Sequence, residues 1–214
     1  MKTETCRGRV MEFAESDSEL RALYGAPSEL SARKSLPKLD PHCRSFIERS
    51  PFVCLSTAAA DGAADISPRG DAPGFVRVLD DHTLLIPDRL GNNRIDSLRN
   101  LLQNPHIGLL FLIPGVDETL RINGVARIVV RSELLEACAV NGKVPRTGLL
   151  VEVREAFLQC AKALIRSHLW SDEYRLSRDQ LPTLGKILVD QIGLATPVVE
   201  LDAMIEKAYC EKLY

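Results

Sequence analysis

From residue 51 onward the chain contains a succession of β-prone segments, and this succession most constrains its fold. Turn signals such as Asp61-Gly62 and Pro114-Gly115 separate neighbouring segments. A helical period interrupts the series once, over residues 92–103. The β-prone segments cover residues 52–58, 64–67, 75–79, 83–87, 107–113, 119–130 and 148–154. Strands that follow one another through short turns favour an antiparallel barrel or meander over an alternating βαβ sheet.

Helices are predicted on both sides of these strands. Ser16 and Glu19 have the spacing of a capping box, and Asp40-Pro41 has the pattern of an N-cap followed by proline. Two more helices are expected over 155–168 and 199–209, so the chain is predicted to be mainly β with flanking helices (α+β). We expect a helical segment over residues 1–50 that packs on the barrel, the barrel over 51–170, and a helical tail of the same domain over 171–214.

Composition and charge exclude several classes of protein. A net charge of −2 and a pI near 6.1 predict no nucleic-acid partner. Apolar runs fall short of the roughly 20 residues that cross a bilayer, and the first residues lack a signal-peptide core. The six cysteines are widely spaced without a CxxC pair, which favours reduced thiols over a disulfide framework. The four histidines lack metal-ligand spacing. We therefore expect a cytoplasmic protein with no metal site and no membrane partner.

One candidate anion site lies between the β-prone run 83–87 and the helical segment. Asn92, Asn93 and Arg94 fall where the helix is expected to begin. Free backbone N–H groups and the positive end of the helix dipole favour anions at that position. A guanidinium can also grip a phosphate with two hydrogen bonds. The alternative is that Asn92 is a simple N-cap and Arg94 a solvated side chain.

A second candidate is the Pro- and Gly-rich stretch that follows the run 64–67. Two prolines and two glycines within ten residues enforce a rigid, non-helical path. Such a loop can present backbone and side-chain groups to a flat ligand. The alternative is a tight surface turn in which Arg69 pairs with a nearby aspartate. The candidate residues are Ser67, Pro68, Arg69 and Gly70, with Asp71 beside them.

A third candidate is a stripe on the predicted helix 155–168. Lys162, Arg166 and Trp170 recur every four residues, so they would share one helical face. Two cations and an indole could border an anionic ligand or a partner subunit. The alternative is a solvated edge on which the long side chains cover apolar surface. The dinucleotide, P-loop and zinc-protease motifs are missing from the sequence.

These motifs together resemble a known family. SPRGD, TLLIP, DRLGNNR, IGLLFLIPG and LRINGVARI are similar to segments of the pyridoxamine 5′-phosphate oxidase-like FMN-binding split barrels. The resemblance covers about residues 51–153. Within the family the chain looks like a bacterial subfamily of pyridoxamine 5′-phosphate oxidase-related proteins, a likeness that includes LDPHCRSFIERSPF and CAKALIRSHLW.

The resemblance implies a six-stranded antiparallel split β-barrel and a homodimer with FMN at the interface. It places the FMN phosphate and ribityl chain near Ile86, Pro87 and Asp88, and then Asn92, Asn93 and Arg94. It assigns further contacts to residues 67–70, with Arg69 as the basic partner. In the family, this strand is usually rich in Arg and Lys, and a basic pair stands at the start of the helix. Here SPRGDAPG replaces the strand and Asn93-Arg94 replaces the pair, so the phosphate site is expected to be less basic.

The function implied is that of an FMN-dependent oxidoreductase acting on an unknown small molecule. The oxidase's Arg-x-His substrate signature lacks a clean counterpart, because Arg175-Leu-Ser-Arg178 contains no histidine. Pyridoxamine phosphate oxidation is therefore not predicted, and no catalytic side chain is assigned. Two alternatives stay open: a non-catalytic flavin- or haem-binding carrier on the same barrel, and a dimeric regulatory module with an empty barrel.

Overall fold

The computed structural model describes residues 2–6 and 9–214, and the chain divides into two units, Met1–Ser35 and Leu36–Tyr214. The first unit contains an antiparallel hairpin followed by two short helices. Ser16 caps the first helix by accepting from the Glu19 amide, as the sequence predicts. The expectation of helices alone before residue 50 is wrong for these two strands, because neither KTETC nor RVMEF alternates strictly between apolar and polar residues. The elements are β1 (Lys2–Cys6), β2 (Arg9–Phe13), α1 (Asp17–Tyr24) and α2 (Glu29–Arg33).

The second unit begins with helix α3 (Pro41–Arg49), which covers part of the core. The Asp40 side chain accepts from the Cys43 amide at 2.7 Å, and Pro41 occupies the first turn, so the predicted cap is confirmed. Cys43 and Ile47 belong to the core and are almost completely buried. Burial raises the pKa of the Cys43 thiol to about 11.

The second unit is built on a seven-stranded antiparallel sheet. Its order is β4-β3-β7-β8-β9-β6-β5, and helix α4 (Asp96–Gln103) connects β6 to β7. The family resemblance implies six strands, and the additional one is the two-residue β5. The strands are β3 (Phe52–Ala58), β4 (Ala64–Gly70), β5 (Arg77–Val78), β6 (Thr83–Pro87), β7 (His106–Leu112), β8 (Thr119–Val129) and β9 (Gly148–Gln159).

The sheet is rolled, because strands far apart in its order come together. β4 and β6 lie five positions apart, which would separate them by roughly 24 Å in a flat sheet. The side chains of Arg69 on β4 and Asp88 just after β6 nevertheless form an ion pair. Alternate residues of β3, β7 and β8 fill the interior, including Leu55, Phe111 and Ile122. The fold is the predicted split barrel with one additional short strand.

Strand β9 is longer than the sequence predicts. Residues 155–159, expected to begin a helix, instead pair with residues 119–123 of β8. Ala156 lies opposite Ile122, and both are fully buried, so packing overrides the helical pattern. The long pairing contains a register shift between Asn123 and Gly124. Helix α5 (Glu133–Glu136) lies between β8 and β9, and α6 (Lys162–Ser167) follows β9.

The chain then continues through a 3₁₀ turn, Arg178–Gln180, to a pair of helices. The predicted last helix is present as α8 (Val198–Glu211), whereas α7 (Leu184–Ile192) is not foreseen by the sequence. The Gly185 amide donates to Asp202 at 2.9 Å, which joins the two helices. Within the described residues, no helix has both the length and the apolar character needed to span a membrane.

Candidate functional site

A cavity of about 630 Å³ lies where strands β4 and β6 end. Its walls come from four separate parts of the chain: residues 67–70, residues 87–93, residues 143–146 and Tyr214. Phe75, Ile95 and Leu98 add apolar surface. Its volume falls in the range of about 300–1,000 Å³ that is typical of small-molecule and cofactor sites.

The structure brings most of the predicted site residues together around this cavity. Ile86 lies instead in the barrel core, where it is 1% exposed. Arg94 is exposed and donates from Nε to Asp96 at 2.8 Å rather than lining the cavity. The predicted residues that line it are Ser67, Pro68, Arg69, Gly70, Pro87, Asp88, Asn92 and Asn93.

The third candidate group lies outside this cavity. Helix α6 ends at Ser167, and His168 adopts a left-handed conformation with φ 50°. Trp170 is therefore not on the helical face of Lys162 and Arg166. The prediction that these three residues share one face of a helix is wrong. The Trp170 indole instead donates to the Val116 carbonyl at 2.9 Å. A cofactor role for these three residues stays a prediction.

Helix α4 begins later than the sequence predicts. Asn93 and Ile95 have left-handed backbones, with φ of 59° and 54°, so helical geometry begins only at Asp96. The Asn92 side chain accepts from the Arg94 amide at 3.0 Å and so closes a local turn. Residues 92–94 therefore form a loop before the helix and do not contribute the free N–H groups of its first turn. That first turn contains its own anion, Asp96.

Arg69 contains an unsatisfied buried donor. Its Nη1 donates to Asp88, while its Nε is buried without a hydrogen-bond partner among the described residues. A buried guanidinium N–H without a partner costs free energy. An acceptor atom of a ligand in the cavity could satisfy it.

A second ion pair lies beside the cavity and holds Tyr214. Arg89 Nε donates to Asp71 Oδ2 at 2.6 Å, and the Tyr214 hydroxyl donates to Asp71 Oδ1 at 2.7 Å. Burial raises the pKa of Asp71, but hydrogen bonds from Tyr214, the Ala72 amide and Arg89 outweigh it, so the pKa lies below its usual value. The same contact with Asp71 raises the pKa of Tyr214.

The cavity has an excess of positive side chains. Four cations line it, Arg69, Arg89, Lys143 and Arg146, against a single side-chain carboxylate among the described lining residues, Asp88. Lys143 donates to the main-chain oxygen of Tyr214 at 2.6 Å. No ion pair or hydrogen bond engages the Arg146 side chain within the part of the chain that the structure describes. Cations, amide donors and apolar walls in one cavity are the groups that FMN requires, so the residues present fit this cofactor.

Sequence reasoning missed several lining residues. Arg89 lies within the recognised DRLGNNR stretch, and Lys143-Val-Pro-Arg146 combines cations with proline, as the loop around Arg69 does. These residues carried a usable signal. Tyr214 carried none, because its place in the cavity depends on the path of α7 and α8.

Several solved structures are similar to this chain at low sequence identity, whereas no curated protein matches it. HupZ from Group A Streptococcus is 22% identical over 56% of this chain and 93% of its own, with a TM-score of 0.45. An FMN-binding protein from Syntrophomonas wolfei is 13% identical over 67% of this chain and 96% of its own, with a TM-score of 0.43. HutZ, the haem storage protein from Vibrio cholerae, is 16% identical over 57% of this chain and 94% of its own, with a TM-score of 0.39.

The family model for pyridoxamine 5′-phosphate oxidase matches residues 39–160. This range extends from the residue before the α3 cap to just past the end of β9, so it contains the whole seven-stranded sheet and three of the four cavity walls. The match covers more than half of the chain, and the chain belongs to the pyridoxamine 5′-phosphate oxidase family.

Proposed function

We propose that this chain is an FMN-binding flavoprotein with oxidoreductase activity on a small molecule. Family membership supports a flavin, and the observation that carries the proposal is the buried, unsatisfied Nε of Arg69 in a cavity rich in cations. A phosphate monoester would supply an acceptor for this Nε and a negative charge to balance the excess of cations in the cavity.

Bound FMN would supply hydride or electron transfer, and the protein would bind and orient it. Arg69 and Arg146 are proposed to hold the phosphate, and the side-chain amides of Asn92 and Asn93 to donate to polar atoms of the cofactor. Phe75 and Leu98 would exclude water from one side. No lining residue is assigned as a general acid or base.

The proposal includes a cytoplasmic homodimer with two FMN sites at its interface. The predicted contacts of Lys162, Arg166 and Trp170 belong to this arrangement, since the three residues do not line the cavity of their own chain. A second copy could bring them to a cofactor bound by its partner.

A carrier without turnover is the alternative use of the same cavity. Haem is the weaker ligand for it, because the lining residues that the structure describes include no histidine, cysteine or methionine, and the hydroxyl of the lining tyrosine, Tyr214, already donates to Asp71. A flavin carrier would bind FMN with the same contacts, so only kinetics separates it from an oxidoreductase.

The proposal is tested by titrating the purified protein with FMN and comparing Arg69→Gln with Arg44→Gln. Arg44 pairs with Asp81, neither of which lines the cavity, and it matches Arg69 as a part-buried arginine in an Asp pair. Losing a charge-assisted hydrogen bond should weaken FMN binding by roughly tenfold to a hundredfold in Arg69→Gln and leave Arg44→Gln unchanged.

A wild-type protein that stays colourless and shows no stabilisation by added FMN would contradict the proposal. Stopped-flow mixing of the FMN-loaded protein with a reduced nicotinamide then tests turnover. Reduction no faster than that of free FMN would identify the carrier.

A further inference from the structure

Tyr214 is held in the cavity by contacts with three separate loops. Its hydroxyl donates to Asp71, its main-chain oxygen accepts from Lys143, and the Arg89 guanidinium lies 5.8 Å from its ring centroid. Asp71 follows β4, Arg89 follows β6, and Lys143 lies before β9. The loops that these three residues belong to also form the cavity walls.

The contact with Asp71 fixes Tyr214 firmly, because that carboxylate is buried. Its side chain is only 3% exposed, and a buried carboxylate is stable only when its oxygens are satisfied. Arg89 donates to Oδ2, while Tyr214 and the Ala72 amide each donate to Oδ1 at 2.7 Å. Moving Tyr214 away would take one donor from a buried charge.

The hydrogen bonds of Tyr214 do not use its ring, which the Arg89 guanidinium approaches at 5.8 Å from the centroid. The hydroxyl is used by Asp71 and the main-chain oxygen by Lys143, yet Tyr214 lines the cavity. An aromatic ring held rigidly at the edge of a cavity suits a flat heterocycle, since rings pack favourably in offset-stacked or edge-to-face arrangements. The guanidinium groups of Arg69 and Arg146 on the other walls suit the phosphate instead.

We infer that Tyr214 is a ligand-contacting wall of this site and packs its ring against the flavin ring system. The inference rests on the proposed function. It divides the cavity into a ring-binding side at Tyr214 and a phosphate-binding side at Arg69. Tyr214 then contributes to the affinity for any flavin, whereas Arg69 contributes only to the affinity for a phosphorylated one.

The division is tested with two ligands, FMN and riboflavin, which differ by the phosphate alone. Dissociation constants are measured for the wild type, Tyr214→Ala, Tyr214→Leu, Tyr214→Phe and Arg69→Gln, with Tyr209→Ala as the control. Tyr209 is a solvent-facing tyrosine of helix α8, 62% exposed. The thermal midpoint of each ligand-free variant is measured in parallel to establish that it is folded.

Tyr214→Ala and Tyr214→Leu should each weaken the binding of FMN and of riboflavin by about tenfold. The ratio of the two dissociation constants should therefore stay at the wild-type value. Tyr214→Phe should keep both affinities within about threefold, because the ring remains. Arg69→Gln should reduce the preference for FMN over riboflavin. Tyr209→Ala should bind both as the wild type does.

Wild-type affinity in both Tyr214→Ala and Tyr214→Leu would overturn the inference. So would a Tyr214→Phe variant as weak as Tyr214→Ala, since the hydroxyl bond to Asp71 would then matter rather than the ring. A wild-type protein that binds neither flavin would instead contradict the proposed function itself.

Discussion

Arg69 and Asp88 form an ion pair although the strands that deliver them are five positions apart in the sheet. The pair therefore links the two sides of the rolled sheet at the mouth of the cavity. Its side chains are 23% and 25% exposed, between the exposed and buried extremes. Arg69 uses Nη1 for Asp88, and its Nε is buried without a partner among the described residues, which leaves this donor for the proposed ligand.

Arg69→Gln and Asp88→Asn should each lower the free energy of unfolding by about 1–2 kcal/mol. Each leaves its partner half-buried and unpaired. Urea unfolding of both single variants and the double variant gives a coupling energy, which should be about 1 kcal/mol. Zero coupling would contradict a direct interaction, and the Arg44–Asp81 pair, which is more exposed, should give a smaller value.

Asp71 should make stability depend on pH in the acid range. Because its folded pKa lies below the unfolded value of about 3.9, its contribution is complete above that value and is lost as pH falls toward the folded pKa. The difference in unfolding free energy between the wild type and Asp71→Asn should therefore shrink between about pH 5 and pH 2.

Denaturant titrations at several pH values measure this difference. Asp172→Asn, at an 87% exposed carboxylate, is the matched control for loss of an aspartate. If the difference in unfolding free energy between the wild type and Asp71→Asn grows as the pH falls, the assigned direction of the Asp71 pKa shift is wrong.

Gly124→Ala should be severely destabilising. A Cβ at Gly124 would lie 2.3 Å from the Glu152 carbonyl oxygen, where β8 and β9 shift register. We expect a loss of about 3 kcal/mol from strain in a packed sheet. Gly108→Ala is the control, because its Cβ would meet only ordinary contacts at 3.6 Å or more. Equal midpoints of thermal unfolding for the two variants would show that the bulge tolerates a side chain.

Ile95→Asn should raise the unfolding free energy by about 0.5–1 kcal/mol. A β-branched residue is strained at φ 54°, whereas asparagine tolerates this conformation. The residue is 51% exposed, so little core packing is lost. Chemical denaturation measures the change. A less stable variant would mean that contacts of the isoleucine outweigh its strain.

The cysteines should differ in reactivity toward iodoacetamide. Cys160 and Cys210 are exposed, whereas Cys43 and Cys138 are buried, and burial raises the thiol pKa of both buried residues. Mass spectrometry of the native protein should find the exposed pair alkylated and the buried pair protected until urea is added. Early labelling of Cys43 would contradict its position in the core.

The strands β3 to β9 and their order of appearance could be predicted because turn signals separate most of them and several bury alternate residues. This alternation is visible in β3, where Val53, Leu55 and Thr57 are buried and their neighbours are not. The start of α4 and the end of β9 could not be predicted. Left-handed backbone at Ile95 and pairing of residues 155–159 with β8 both depend on tertiary packing.

The candidate site shows the same contrast. Residues 67–70 and 87–93 could be found because each wall is a short continuous stretch with turn-forming residues and cations. Arg94 and Ile86 lie beside lining residues in sequence but face solvent and core, which adjacency alone does not reveal. Tyr214 reaches the cavity from a distant part of the chain.

The positions of the cavity walls along the chain determine the order in which the barrel and the cavity can form during synthesis. A nascent chain that extends to Gln159 contains every strand of the sheet, and with it Arg69, Asp88 and Arg146. It lacks Tyr214, the donor that Asp71 needs and the ring that completes the cavity. On the ribosome, the barrel can therefore form before the cavity is complete, and the proposed cofactor site is finished only after α8 has been made.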